Sequence, residues 1–240
     1  MKDPIVVWQK KHYLSLFLIM NIGLPALLGF IHGDVIACLL LGGLLRLVLS
    51  QHVTYLINSI VHMWGYQPYS ESSTARDNPI LAFFTYGEGY HNYHHTFQWD
   101  YRNGIRWWHY DPTKWMISLL SFAGLTRDLK RSSPAQIEKA RLELQYLKAT
   151  EKCEHFDIPE SWRLQLETEY EQLLQTLQLW AEHRQAWYGS KGKQLQESLN
   201  SLDRLQLKHG CQEVQYRLKA QKRAWQHLLR NLAEPQPQPN

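Results

Sequence analysis

The chain has 240 residues, a formal net charge of +4 at pH 7, and 44% hydrophobic and 20% charged residues. This length allows one or two domains. The positive excess is small and no basic stripe alternates with aromatic residues, so the composition argues against nucleic-acid binding. Cys38, Cys153 and Cys211 have neither disulfide nor zinc-site spacing, and they are compatible with a reducing compartment.

Two apolar runs follow a short amphipathic lead at residues 1–13, which is expected to be cytoplasmic. The first run, Leu14 to Gly33, has no acidic or basic residue. It predicts a membrane-spanning helix of about 20 residues, despite Pro25. The second run starts at Val35 and carries a single charge, at Arg46.

Only two residues, Gly33 and Asp34, separate the runs. We therefore expect a tight transmembrane hairpin over residues 14–64, with both of its ends on the same side of the membrane. Positive residues concentrate on the cytoplasmic side of membrane proteins, and they flank this hairpin at Lys2, Lys10, Lys11, Arg76, Arg102 and Arg106. The chain is thus predicted to be a multi-pass integral membrane protein with both ends in the cytoplasm. A cleaved signal peptide is not expected, because the first run is too long.

Residues 65–131 are rich in aromatic residues and histidine, and we expect them to form a cytoplasmic section. The stretch GEGYHNYHH, residues 87–95, places three histidines in five positions. On a helix, His91 and His95 are one turn apart and His94 lies about 60° to the other side of His91, so the three imidazoles can converge on a metal. The spacing alone leaves zinc, copper, iron and nickel open.

A second candidate group lies at the end of the second apolar run. Asn58 and His62 are four residues apart in NSIVH and are expected to share a helical face. Taken alone, His62 is more typical of a histidine at a membrane interface. Glu88 and Asp100 are predicted to accept hydrogen bonds from imidazole N–H groups rather than to bind the metal themselves.

Residues 132–240 are predicted to form a helical tail. Ser133-Pro134 is a helix start signal, and Asp157 to Glu160 is a second one. Steps of four and three predict the seam of an antiparallel helical hairpin or short coiled coil at Leu166, Tyr170, Leu173, Leu177 and Trp180, and at Leu195, Leu199 and Leu202. Breaks are expected at Gly189 to Gly192 and at Gly210, and a disordered tip at EPQPQPN. The predicted fold class is all-α: a membrane hairpin, a histidine-rich helical section and an extended helical tail.

Three stretches, DPIVVWQKKHY, NSIVHMWGYQPY and GEGYHNYHHTFQWDYR, resemble in order and spacing the C-terminal half of the membrane-bound fatty acid desaturases of the stearoyl-CoA (Δ9) type. The resemblance implies a histidine-ligated di-iron centre at the cytoplasmic face. Such a centre uses O₂ and two electrons to introduce a cis double bond into a saturated acyl chain. The implied substrate is a fatty acyl-CoA or acyl-lipid in the membrane, and the implied electron donor is cytochrome b5 or ferredoxin with its reductase.

The resemblance also implies roles for individual residues. It places iron ligands at His62, His91, His94 and His95, with Asn58 reaching a metal through water. It places Thr54 and Tyr55 at the bend of the acyl tunnel, where the family more often has tryptophan than a tyrosine at the position of Tyr55.

The family carries two further histidine boxes, HxxxxH and HxxHH, upstream of the matching region. HxxxxH does not occur in this sequence, and its only HxxHH is the cluster at residues 91–95 itself. We therefore expect the chain to be the C-terminal part of a desaturase, a fragment or the product of a split gene, with little activity alone. Two alternatives stay open: a non-catalytic remnant acting as a membrane structural or interaction protein, and a bis-histidine haem protein that uses His32 and His52.

Overall fold

The computed structural model of the protein describes residues 3–156, 158–193 and 201–233. All regular elements within these ranges are helical, as the all-α prediction requires, and the described β-structure is limited to isolated bridges. The chain divides into two compact units. Unit 1 comprises Met1–Tyr66, Thr74–His91 and Arg102–Leu120, and unit 2 comprises Gln67–Ser73, Asn92–Tyr101 and Ser121–Asn240.

The described α-helices are, in chain order, α1 (Pro4–Lys11), α2 (Tyr13–Leu18), α3 (Leu24–His32), α4 (Val35–Cys38), α5 (Arg46–Asn58), α6 (Ile60–Met63), α7 (Pro79–Phe84), α8 (His91–Thr96), α9 (Pro112–Phe122), α10 (Pro134–His155), α11 (Glu160–Lys193) and α12 (Ser201–Ala233). Two π-helical segments, Ile19–Gly23 and Leu39–Leu45, lie within the apolar runs. With these segments included, two helices are long and apolar enough to cross a membrane: Tyr13–His32, of 20 residues, and Val35–Met63, of 29 residues.

The two apolar helices are joined by the expected two-residue turn. Gly33 has a φ of 94°, and its N–H donates to the Gly29 carbonyl at 2.8 Å. Asp34 caps the following helix, where its Oδ1 accepts from the Ala37 N–H at 2.9 Å. Because glycine adopts this left-handed conformation at little cost, the turn can be this short.

A polar contact between Arg46 and Asn21 joins the two apolar helices. The Arg46 guanidinium donates to Asn21 Oδ1 in the facing helix and to the Gly42 carbonyl, at 2.9 Å, in its own helix. Asn21 Nδ2 in turn donates to the Phe17 carbonyl at 2.7 Å. The single charge of the second run therefore has a polar partner inside the hairpin.

In unit 2, α10 starts at the predicted signal. Ser133 Oγ accepts from the Gln136 N–H at 3.1 Å, and Gln136 Oε1 accepts from the Ser133 N–H at 2.8 Å. This reciprocal pair, followed by Pro134 in the first turn, is a capping box. The second predicted start is also confirmed, because α11 begins at Glu160.

An apolar core joins α10, α11 and α12. Of the predicted seam, Leu166, Leu173 and Leu177 are at most 3% exposed, and Tyr170 and Trp180 pack against them. The other buried members of the core are Leu142, Ala149, Cys153, Leu218, Trp225, Leu228 and Leu232. The seam is therefore confirmed as core, shared among three helices, while coiled-coil geometry stays a prediction.

The helix breaks predicted at glycines are wrong. α11 continues through Gly189 to Lys193, and α12 continues through Gly210. Glycine costs a helix only about 1 kcal/mol. At Gly210 a Cβ would lie 3.2 Å from the His183 ring, so the absence of a side chain lets α11 and α12 approach each other. The other predicted features, Leu195, Leu199, the side chain of Leu202 and the tip 234–240, lie outside the described residues.

Within unit 2, α10 also contacts segments that the sequence places before the tail. Arg141 Nη2 donates to the Tyr69 hydroxyl at 2.9 Å, and Lys148 Nζ lies 2.6 Å from Glu71 Oε1. These contacts join residues on both sides of the boundary expected between 131 and 132. That boundary stays a prediction.

The apolar helices approach each other closely at Gly43. A Cβ there would lie 2.6 Å from the Asn21 carbonyl oxygen, whereas a Cβ at Gly23 would meet nothing within 4 Å. We expect Gly43→Ala to destabilise the hairpin by about 1–3 kcal/mol through overpacking. Gly23→Ala should leave stability unchanged or slightly higher, because alanine is the better helix former. Thermal unfolding of both variants in detergent, followed by circular dichroism, tests this, and equal midpoints would contradict the close packing.

Candidate metal centre

Backbone contacts in unit 1 assemble the surroundings of His62 and His91. Tyr66 and Asp77 exchange N–H to carbonyl hydrogen bonds of 3.1 and 2.7 Å, and Asp77 forms a second antiparallel bridge with Tyr90. The segment after α6 and the residue before α8 are thereby held against the same short stretch of chain.

His62 and His91 face each other across this assembly. Their Nε2 atoms are 3.1 Å apart, and their rings meet edge to face at 83°. His91 is only 7% exposed, and His62 is half-buried. On the other side of the His62 ring, Nδ1 lies 2.9 Å from Thr74 Oγ1. With Nδ1 protonated, His62 donates to Thr74 and directs its Nε2 lone pair toward His91.

This arrangement fits a transition-metal ion. Two nitrogen ligands about 2.1 Å from one metal, at a roughly right angle, lie about 3 Å apart, close to the observed 3.1 Å. His95 follows His91 one helical turn later on the same helix, α8. Imidazole nitrogens suit iron, zinc, copper and nickel, so the donor set alone does not choose among them.

The other predicted ligands, His94 and Asn58, have different surroundings. His94 is half-buried, and its ring meets that of His95 edge to face at 5.8 Å. Ser59, with φ −124° and ψ −69°, interrupts the helix between Asn58 and His62, so the continuous helical face expected for that pair is wrong. The assignment of His94 and Asn58 as ligands stays a prediction.

The predicted hydrogen-bond acceptors are both engaged by other side chains. Glu88 Oε1 accepts from Asn103 Nδ2 at 2.8 Å in unit 1. Asp100 Oδ2 accepts from the Tyr93 hydroxyl at 2.6 Å and from the Ser132 N–H at 2.8 Å in unit 2. Their role toward imidazole N–H groups stays a prediction.

Thr54 and Tyr55 are exposed on α5. Thr54 Oγ1 donates to the Ser50 carbonyl at 3.0 Å, and the Tyr55 ring lies edge-on to His52 at 6.4 Å. Their contact with an acyl chain stays a prediction.

The loop at residues 103–111 is held by two buried charged side chains, Asp111 and Lys114. Asp111 Oδ2 accepts from the N–H groups of Asn103 and Gly104, both at 2.9 Å. Lys114 Nζ donates to the Gly104 carbonyl at 2.7 Å and to a second loop carbonyl at 3.0 Å. Burial lowers the pKa of Lys114, and the Asp111 carboxylate acts in the opposite direction.

Sequence reasoning missed Thr74, Asn103, Asp111 and Lys114. Each of them is a common polar residue without ligand spacing to a histidine. Only Asp111 left a local signal, because aspartate directly before Pro112 is a helix start signal, and α9 does begin at Pro112.

Comparison with known proteins decides the family. The family described as fatty acid desaturase matches residues 2–125 of this chain, which include all four predicted histidine ligands. The chain belongs to the fatty acid desaturase family. The resemblance inferred from HNYHH and its neighbouring stretches is thereby confirmed.

Several desaturases are similar to this family member over part of their length. Acyl-CoA desaturase 1 of Saccharomyces cerevisiae is 42% identical over 151 residues, which are 62% of this chain and 30% of that protein. Probable acyl-CoA desaturase of Schizosaccharomyces pombe is 41% identical over 138 residues, 57% of this chain and 29% of that protein. Stearoyl-CoA desaturase 5 of Homo sapiens is 37% identical over 143 residues, 58% of this chain and 43% of that protein. The chain thus spans less than half the length of these curated relatives.

The histidine pair generates a direct metal-binding test on the full chain in detergent. Titration with Co²⁺, followed by visible absorption, should show that His62→Gln and His91→Gln each lower the Co²⁺ affinity at least about 10-fold. Removing a residue that only orients a ligand already costs about 10-fold in metal affinity, and removing the ligand itself should cost no less. His155→Gln is the matched control, since His155 is exposed at the end of α10. Equal Co²⁺ affinity in all three variants would show that the pair only packs.

Proposed function

We propose that this chain supplies part of the iron site of a fatty acyl desaturase, an oxidoreductase that introduces a cis double bond into a saturated acyl chain. One observation carries the proposal: the Nε2 atoms of His62 and His91 lie 3.1 Å apart inside the region that matches the fatty acid desaturase family. Family membership favours this function over the membrane structural role that the sequence left open.

Under this proposal, His62, His91, His94 and His95 hold iron through imidazole nitrogens, and Asn58 reaches a metal through water. Bound iron would supply the redox chemistry with O₂ and two electrons. The proposed centre holds two irons and needs ligands beyond these five side chains. Within this chain, the Thr74 hydroxyl orients the His62 ring, and the burial of His91 keeps its nitrogen away from competing water.

The proposed substrate is a fatty acyl-CoA, because the similar proteins are named acyl-CoA and stearoyl-CoA desaturases. An acyl-lipid is the alternative, and Δ9 is the proposed position of the double bond. Thr54 lies on α5, in the same apolar run that ends just after His62, which suits a residue that lines an acyl tunnel leading to the metal. Cytochrome b5 or ferredoxin with its reductase is the proposed electron donor.

The proposed location is an integral membrane, with Tyr13–His32 and Val35–Met63 spanning it and both flanks cytoplasmic. An acyl chain in the bilayer needs an apolar path, whereas electrons arrive from a water-soluble donor or domain. His62 lies at the end of the second span, where an apolar path and the aqueous side meet.

Membrane topology can be measured by labelling of single cysteines after Cys38, Cys153 and Cys211 are replaced with serine. We expect His12→Cys and Ser72→Cys to react with a membrane-impermeant maleimide from the cytoplasmic side only. Asp34→Cys in the hairpin turn should react only from the opposite side, since the turn lies between the two spans. Labelling of positions 12 and 72 from different sides would mean that one apolar helix does not span.

The activity can be tested in a chimera of Saccharomyces cerevisiae acyl-CoA desaturase 1, in which this chain replaces the aligned region. In yeast cells that lack their own enzyme, the chimera should restore unsaturated fatty acids, measured by gas chromatography. His62→Gln, His91→Gln, His94→Gln and His95→Gln should each abolish conversion, because each removes a proposed iron ligand. Asn58→Ala should reduce conversion less, because its contact is through water.

The matched control is His32→Gln, since His32 is exposed at the end of α3 and outside the proposed site. It should convert as the unmodified chimera does. Full conversion in the His94→Gln chimera would refute its assignment as a ligand. An unmodified chimera that is inserted and stable yet inactive would favour the structural or interaction role.

A further inference from the structure

We propose that Asn103 is a positioning residue, which through Glu88 fixes the chain segment entering α8 and so holds the His91 ring toward His62. Asp111 and Lys114 support it by fixing the loop that carries it. This inference rests on the proposed function, because it concerns how the same metal site is held.

The 103–111 loop is held by buried charged side chains. Asp111 is fully buried, and its carboxylate accepts three backbone N–H groups, from Asn103, Gly104 and Lys114, each at 2.9 Å. Lys114 is 8% exposed, and its ammonium donates to carbonyls of the same loop. A buried charge that is satisfied by several backbone groups is costly to displace. The loop therefore has one strongly preferred conformation.

This loop contacts the residues just before α8. Gly87 has a φ of 103°, and a Cβ there would lie 2.8 Å from Asp111 Oδ1. Glu88 Oε1 accepts from Asn103 Nδ2 at 2.8 Å. The Tyr90 ring stacks on His109 with centroids 4.4 Å apart and planes 10° from parallel. Three of the four residues that precede His91 thus lie against the loop.

The backbone that enters α8 has an unusual conformation that needs such support. Tyr86 has a φ of 55° and Gly87 a φ of 103°, so the entry to α8 contains two successive left-handed residues, one of which is not glycine. Such a backbone conformation persists only where several surrounding contacts hold it in place. A metal site tolerates displacement of a ligand of only about 0.5 Å or 10–20°. Asp111 and Asn103 contact this segment at Gly87 and Glu88.

The experiment measures Co²⁺ affinity and the visible absorption spectrum of the full chain in detergent, for wild type, Asn103→Ala, Glu88→Ala, the double variant and Glu88→Gln. The Asn103→Ala and Glu88→Ala changes should each weaken Co²⁺ binding about 10- to 100-fold, the range for residues that orient ligands, and alter the spectrum. The double variant should lose no more than either single variant. Glu88→Gln should stay within about threefold of wild type, because glutamine retains an oxygen that accepts from Asn103.

A matched control pair lies on α11, where Gln178 Nε2 donates to Glu182 Oε1 at 3.1 Å on an exposed surface. Gln178→Ala and Glu182→Ala should leave affinity and spectrum unchanged. Far-UV circular dichroism is recorded for every variant. If Glu88→Ala loses both helical signal and Co²⁺ affinity, the contact between Asn103 and Glu88 is needed for folding, and the positioning role is overturned.

The outcomes separate this inference from the proposed function. If wild type binds Co²⁺ in a manner sensitive to His62→Gln, but Asn103→Ala and Glu88→Ala bind it equally well with the same spectrum, the positioning role is wrong and the metal site stands. If Glu88→Gln loses as much affinity as Glu88→Ala, the charge of Glu88 matters rather than its bond to Asn103, and the inference is overturned. If wild-type binding is insensitive to both His62→Gln and His91→Gln, the proposed metal site itself fails.

Discussion

The 3.1 Å separation between the Nε2 atoms of His62 and His91 is the constraint that the surrounding segments of unit 1 have to satisfy. His62 and His91 lie on helices of four and six residues, which are too short to be stable by themselves. Their relative position is therefore set by the irregular chain between them. The bridges that Asp77 makes to Tyr66 and Tyr90 supply that connection, so the precision of the pair comes from segments that contain little regular structure.

Buried polar groups provide the rest of the support. The Asp111 carboxylate and the Lys114 ammonium are each surrounded by backbone partners of opposite polarity, and so they replace the hydrogen bonds that water would give a loop. An apolar core of comparable size could not fix the direction of individual peptide groups. The surroundings of the histidine pair are thus polar and rigid, whereas α10, α11 and α12 are held by side-chain packing around Leu173 and Trp225.

Features with a local cause were predictable from the sequence. Ser133 and Pro134 start a helix through groups within one turn, Gly33 and Asp34 turn the chain by their own conformations, and the seam around Leu173 follows from helical periodicity. The spacing of His91 and His95 likewise follows from one turn of helix.

Features that depend on distant residues were not predictable. The partner of His62, Thr74, is twelve residues away across an irregular segment, and no periodicity links the two. Because the helix is interrupted at Ser59, the shared helical face predicted for Asn58 and His62 from regular helix geometry is not formed. The helix break predicted at Gly210 was wrong for the same reason. This glycine allows close packing against His183 of the neighbouring helix, which its low helix propensity does not reveal.

For the proposed membrane location, the contact between Arg46 and Asn21 bears on the order in which the two apolar helices insert. A guanidinium near the middle of a single apolar helix opposes insertion by about 2.5–3.5 kcal/mol on translocon-based scales. The Asn21 oxygen becomes available to it only when both helices are present side by side. The proposed location therefore favours an order of biogenesis in which the first helix remains at the insertion machinery until the second has been synthesised, so that both enter the lipid together.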